Sequence, residues 1–147
     1  MKTKTFIKLS LALLFPLFIL NSCEQEYIIN DSDLPVEITT YIEKHFADHT
    51  ILQSIKEMDN LSKTYEVILS GNYTLKFNRK KEIIDIEGNQ KLPDSVIPEK
   101  ILTYVTANFP TSYIVGWELE GERQQIELDN DLDLEFNMKG DFLRIDQ

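Results

Sequence analysis

Leu34-Pro-Val-Glu-Ile-Thr-Thr-Tyr-Ile-Glu-Lys-His-Phe46, followed by Ile51, recurs as Ile97-Pro-Glu-Lys-Ile-Leu-Thr-Tyr-Val-Thr-Ala-Asn-Phe109, followed by Ile114. Every matched apolar position lies 63 residues from its counterpart. Further along, Val67, Leu69, Leu75, Phe77-Asn78, Ile84 and Ile86 recur as Ile126, Leu128, Leu134, Phe136-Asn137, Leu143 and Ile145, each 59 apart. A repeat of this length is one supersecondary unit written twice. Between the blocks the second copy is four residues shorter, and the deficit falls where the first copy carries the polar stretch Asp59-Asn-Leu-Ser-Lys63 and the second a short turn at Gly121. Loops absorb length changes that packed elements do not.

Within each copy the hydrophobic period changes in a fixed order. Ile38, Tyr41, Ile42 and Phe46 follow the i, i+3, i+4 pattern of an amphipathic helix with Pro35 at its start; Ile101, Tyr104, Val105 and Phe109 repeat it after Pro98. The period then drops to two. Tyr65–Leu69 and Tyr73–Phe77 flank Ser70-Gly-Asn72, a hairpin signal, and 124–128 with 132–136 flank Asp129-Asn-Asp131. Strands are expected before each hairpin (near 51–58 and 114–120) and after it (near 82–87 and 141–146). The expected fold is therefore α+β: two tandem α-β4 repeats, 34–88 and 97–147 about a linker at 89–96, with the helices on one face of an antiparallel sheet of up to eight strands. Tyr65, Val67, Leu69, Tyr73, Leu75 and Phe77 form the core face. Outward positions are Glu66, Ile68, Thr74 and Lys76 in the first copy, and Gln125, Glu127, Asp133 and Glu135 in the second.

The Leu-Pro-x-x-Ile-x-x-Tyr-Ile start, the Tyr-Glu-Val-x-Leu strand followed by Gly and Leu75-Lys-Phe77, and the duplication itself resemble the PepSY-like, β-lactamase-inhibitor-protein-like family of secreted bacterial proteins. The resemblance spans Leu34 to Asp146. It implies helices on one side of an antiparallel sheet, no enzymatic activity and, in inhibitor relatives, an open sheet face that clasps a protein. Gly140 matches the family's turn glycine, whereas Lys81 replaces it in the first copy, which leaves the shape of that turn open.

The N-terminus reads as an address. Residues 1–22 run from a basic start (Lys2, Lys4, Lys8) through an apolar stretch, Leu9 to Leu20, to Asn21-Ser22: a secretory signal peptide, too short in its apolar part to remain as a membrane span. Leu20-Asn-Ser-Cys23 resembles a bacterial lipobox, which marks Cys23 as the lipidated residue. As the single cysteine it has no disulfide partner within the exported chain, and several acyl chains on one residue anchor a protein stably. Residues 23–33 are expected to form a flexible tether reaching at most ~35 Å. Glu24-Gln-Glu26 resembles surface-export signals of some Gram-negative lipoproteins, so the expected location is the cell envelope, lipid-anchored to the outer membrane on its periplasmic or surface side.

Of 147 residues, 12 Lys plus Arg stand against 25 Asp plus Glu from Cys23 onward, a field that disfavours nucleic acid. Signals for chemistry are sparse. His45 and His49 have the i, i+4 spacing of a zinc pair, but Phe46 stands where a zinc protease carries its general base, and no further soft ligand follows. Asp129-Asn-Asp-Leu-Asp-Leu-Glu135 fails the EF-hand pattern: Leu134 occupies the glycine position and Gly140 the final glutamate position. No nucleophile elbow or phosphate-cradling glycine loop is present. No cofactor, resident metal or catalytic residue is expected. Trp117 is either a core filler or a partner anchor, and Ile68 either an exposed partner contact or a covered edge. The candidate partner-binding set is Glu66, Ile68, Lys76, Trp117, Glu127, Asp133 and Glu135, serving a non-enzymatic module that receives an envelope protein or peptide, with inhibition of that partner as one option. A module for a small ligand or cation is the alternative, and a structural spacer is the third reading.

Overall fold

A computed structural model describes residues 25–58 and 63–146, so Cys23, the signal peptide and part of the 59–63 loop lie outside the described residues. Two ten-residue helices, α1 (Val36–His45) and α2 (Glu99–Asn108), accompany one antiparallel sheet. Its strands are β1 (Gln25–Ile29), β2 (Ile51–Met58), β3 (Lys63–Leu69), β4 (Tyr73–Phe77), β5 (Ile83–Gly88), β6 (Ile114–Glu120), β7 (Arg123–Leu128), β8 (Asp133–Asn137) and β9 (Phe142–Asp146). They lie side by side in chain order.

Nine strands exceed the expected eight because the supposed tether contributes one. Gln25–Ile29 pairs with β2 along its full length, and a 3-10 turn, Asp31–Asp33, leads into α1. The short Tyr27-Ile28-Ile29 run is polar on both sides and carries little periodicity of its own, so only the edge of β2 reveals its role. β5 explains why nine is the natural number. On one side it pairs with β4 as β9 pairs with β8; on the other it pairs with β6 as β1 pairs with β2. One strand closes the first unit and opens the second. Ile29, Ile86 and Ile145 occupy the same register, facing Ser54, Trp117 and Leu134 respectively.

Proline fixes each helix entry. Pro35 and Pro98 are the N-caps, with φ of −56° and −54°, and the Pro35 and Pro98 carbonyls accept from the Ile38 and Ile101 amides at 3.0 Å. Each helix stops at a phenylalanine, Phe46 or Phe109, whose ring turns toward the core. Both helices cover the same face of the sheet: the Tyr41 ring meets Phe77 edge-on at 5.5 Å, and Tyr104 meets Phe136 edge-on at 5.4 Å. Val67, Leu69, Leu75, Phe77, Ile86, Ile126, Leu128, Leu134 and Phe136 are fully buried beneath them. Leu92, inside the expected linker, is buried too, and its amide donates to the Ile114 carbonyl at 2.8 Å, so the connection between the units packs as core.

Bulges recur with the sequence: β2 and β6 slip between Ile51/Gln53 and Ile114/Gly116, and β4 and β8 between Lys76/Phe77 and Glu135/Phe136. The Lys81 turn, whose shape the sequence leaves open, matches its counterpart. Asn78 Oδ1 accepts from the Lys80 and Glu82 amides at 2.8 and 3.1 Å; Asn137 Oδ1 accepts from the Lys139 and Asp141 amides at 2.9 Å each. Lys81 holds φ +65° where Gly140 holds φ +75°. The turn is the same, and lysine bears the left-handed conformation.

Candidate functional site: an acidic concavity at the junction of the units

The face opposite the helices carries continuous cross-strand rows. One runs across all nine strands: Ile28, Ile55, Glu66, Lys76, Asp85, Glu118, Gln125, Glu135, Arg144, each paired with the next. The row beside it runs from β2: Gln53, Ile68, Thr74, Glu87, Gly116, Glu127, Asp133, Asp146. Within these two rows three directly opposed pairs are acid against acid, Asp85 with Glu118, Glu127 with Asp133, and Asp133 with Asp146; a further such pair, Glu26 with Glu57, stands between β1 and β2. Like charges placed opposite one another destabilise a sheet.

Asp85, Glu87, Glu118, Glu127 and Asp133 line an open concavity of about 310 Å³ at the β5–β6 seam, reaching Asp131 in the β7–β8 turn, with no Lys or Arg in its wall. Gly116 forms its floor. A Cβ there would meet Glu127 Cβ at 3.0 Å and Oε2 at 3.1 Å, so the missing side chain is what lets the Glu127 carboxylate lie across β6. Burial, then the charges of Glu87 and Glu118, push the Asp85 carboxyl up to about 6. Glu127 is raised by burial and then by Asp133, Glu87 and Asp131. A group with these neighbours gains from an incoming positive charge.

The sequence-derived candidates divide. Glu127 and Asp133 stand in the concavity. Glu66 lies two strands from Asp85 in the long row, its carboxyl raised by burial and by Glu57. Ile68 is half-buried in the neighbouring row, and Lys76 is engaged by Glu57 at 3.2 Å. Glu135 is not an open acid: it is buried, and its oxygens accept from Arg123 at 3.1 Å and Arg144 at 2.7 Å. Trp117 is among the residues lining the concavity, but its burial is that of the core filler and not of an exposed partner anchor. It stands between Ile86 and Ile126 on the helix-covered face, 8% exposed, and its indole N–H donates to Gln124 Oε1 at 3.1 Å. Asp85, Glu87 and Glu118 were not among the candidates. The alternation in Ile84-Asp-Ile-Glu87 signals outward acids, but their meeting with Glu118 depends on β5–β6 pairing across the linker.

The histidines do not converge. His45 Nδ1 lies 2.9 Å from Ser95 Oγ, and His49 Nδ1 lies 2.8 Å from the Ser70 carbonyl oxygen. Among the described residues no group of three or more His, Cys, Asp or Glu side chains is arranged to hold a metal ion.

A family profile described as "Putative beta-lactamase-inhibitor-like, PepSY-like" matches this chain twice, over residues 19–85 and 63–144. The chain belongs to the PepSY-like family. The double match is that of a tandem duplication. Among curated proteins, none matches. Similar solved structures include a "putative calcium-regulated periplasmic protein" from Bacteroides thetaiotaomicron, 27% identical with a TM-score of 0.79, the match covering 83% of this chain and 97% of that one. A "putative periplasmic protein" from Bacteroides vulgatus is 26% identical at a TM-score of 0.78 and covers 84% and 98%. Another from the same species, "of unknown function", is 28% identical at 0.78 and covers 84% and 100%. Nothing in the PepSY-like family description or in these neighbours indicates catalysis.

Proposed function

We propose that this PepSY-like protein is a lipid-anchored, non-enzymatic binding module of the cell envelope whose acidic concavity receives a basic segment of an envelope protein or peptide. The observation that carries the reading is the set of opposed carboxylate pairs around a wall without cations. A sheet that keeps mutually repelling groups at a strand seam gains free energy when Lys or Arg side chains enter, and complementary charge also speeds encounter. The signal peptide, the lipobox ending at Cys23 and the periplasmic description of the similar structures support the address. The family's inhibitor-like description supports a protein as the ligand.

Calorimetric titration of an Arg/Lys-rich peptide into the mature chain tests this. Expected is saturable binding that weakens with salt, falls at least about tenfold in Glu127→Gln/Asp133→Asn, and persists in Glu66→Gln. Equal binding by the two variants refutes the assignment. Calcium regulation in the name of one similar structure, together with the same carboxylates, favours a second reading in which a divalent cation is the ligand. Saturable heat with calcium alone, and none with the peptide, selects it.

A further inference from the structure

The end of the sheet nearest Cys23 has its own chemistry. β1 begins two residues after that cysteine, so at most ~7 Å of chain separates it from the sheet. The leash is too short to hold the domain away from a bilayer. Whatever lies at this end must face the lipid surface if Cys23 is acylated.

Gln25 pairs with Met58, and Met58 with Lys63, which places Lys63 and the start of β3 at the anchor end. The β4–β5 turn, Asn78-Arg79-Lys80-Lys81-Glu82, closes the same end, three strands from β1 or about 15 Å. Arg79 and Lys80 are exposed, and among the described residues no ion pair engages Lys63, Arg79, Lys80 or Lys81. Lys63 lies 5.0 Å over the Tyr65 ring. Three acids share this end: Glu82 in the turn accepts from Asn78 Nδ2, and Glu26 faces Glu57, whose carboxylate is engaged by Lys76 at 3.2 Å and by the Thr64 hydroxyl at 2.7 Å. Met58, opposite Lys63, and Tyr27, on β1, are exposed at this end of the sheet. Lys81 adds a second kind of observation. It sits at φ +65°, where the second unit uses Gly140, so the turn keeps a cation at a position whose backbone favours glycine. At the second unit's equivalent turn, Arg79 and Lys81 are replaced by Met138 and Gly140, and Asp141 is paired with Lys100. The concavity opens toward the opposite end, where Asp131 stands in the β7–β8 turn and Asp133 begins β8.

We propose that the anchor end of the first unit is a lipid-docking surface: Arg79, Lys80, Lys81 and Lys63 engage headgroup phosphates of an anionic bilayer, with Met58 and Tyr27 at the interface. The inference rests on lipidation at Cys23. It gives a strongly acidic protein a fixed stance, with the concavity turned toward the aqueous phase. Basic residues next to a membrane anchor are attracted to anionic lipid over a Debye length.

Lipidated mature protein is placed in vesicles of phosphatidylcholine, or of phosphatidylcholine with phosphatidylglycerol, and lysines are footprinted with an amine-reactive ester read by mass spectrometry. Co-sedimentation reports the anchor separately. Expected is severalfold slower labelling of Lys80 and Lys81 on the anionic vesicles, with Lys91 unchanged. The protection disappears in high salt, and it disappears at Lys81 in Arg79→Glu/Lys80→Glu. Protein that sediments with both vesicles but labels equally on both overturns the docking and leaves the anchor standing. Protein that sediments with neither overturns both.

Discussion

Replacing Asp85 by Asn removes the most strained charge of the concavity and turns its electrostatics into a measurable stability. In the folded chain the Asp85 carboxyl is pushed up to about 6 by burial and by Glu87 and Glu118, against about 3.9 in an unfolded chain. The folded state therefore holds this proton more tightly. The resulting contribution is fully present below about pH 4 and is lost as pH rises through about 6. Two units correspond to about 3 kcal/mol as a ceiling; counter-ions and side-chain relaxation at a half-buried site reduce this to about 1–2 kcal/mol. Asn has the same shape and no charge, so Asp85→Asn stabilises the protein by that amount at pH 8 and by almost nothing at pH 3.5. For a domain of this size that is a rise in Tm of about 4–8 °C at the higher pH. Urea unfolding followed by circular dichroism at the two pH values reads it directly. Equal effects at both pH values, or destabilisation at pH 8, would refute the claim that repulsion at the seam is stored in the fold.

Two further outcomes follow from neighbouring features. Lys81→Gly raises stability by about 0.5–1 kcal/mol, the left-handed cost of about 1–2 less the extra unfolded-state freedom of glycine; a higher urea midpoint at unchanged slope checks it, and a lower one would show that the lysine side chain supports the turn. Trp117→Phe costs about 1–3 kcal/mol because it leaves the buried Gln124 Oε1 without its donor, and it leaves peptide affinity unchanged; a tenfold loss of affinity without a loss of stability would restore Trp117 as a partner anchor.

What could be read from the sequence was set by what is local. Helix and hairpin positions follow from periods that a dozen residues display by themselves, and the offsets of 63 and 59 carry them from one copy to the other. β1 could not be read that way. Gln25-Glu-Tyr-Ile-Ile29 has four exposed residues of five and becomes a strand because β2 offers an unpaired edge, which is a tertiary cause. The choice between core filler and partner anchor for Trp117 was likewise not local. Its counterpart in the first copy, Ser54, is also buried, with its hydroxyl bonded to Asp31 at 2.9 Å, so both copies use the position for the core. Glu135 counted as an open acid because alternation gives the face and not the partners. Arg123 lies on β7 and Arg144 on β9, and only strand register brings both to one carboxylate.

The duplication also separates what packing requires from what the outer face is free to vary. Inner positions keep their apolar character between copies: Val67 and Ile126, Leu75 and Leu134, Phe77 and Phe136. Outer positions change chemistry: Ile55 becomes Glu118, Ile68 becomes Glu127 and Thr74 becomes Asp133. Packing demands none of these acids, and their mutual repulsion opposes folding, so their convergence is a property of the surface and not of the scaffold. Because β5 belongs to both units, the surface they form cannot open without pulling Ile86, fully buried on the other side of the same strand, out of the core. The concavity is thus held in shape by the core beneath it, and the proposed ligand would bind there without most of the ordering cost that a mobile loop would incur.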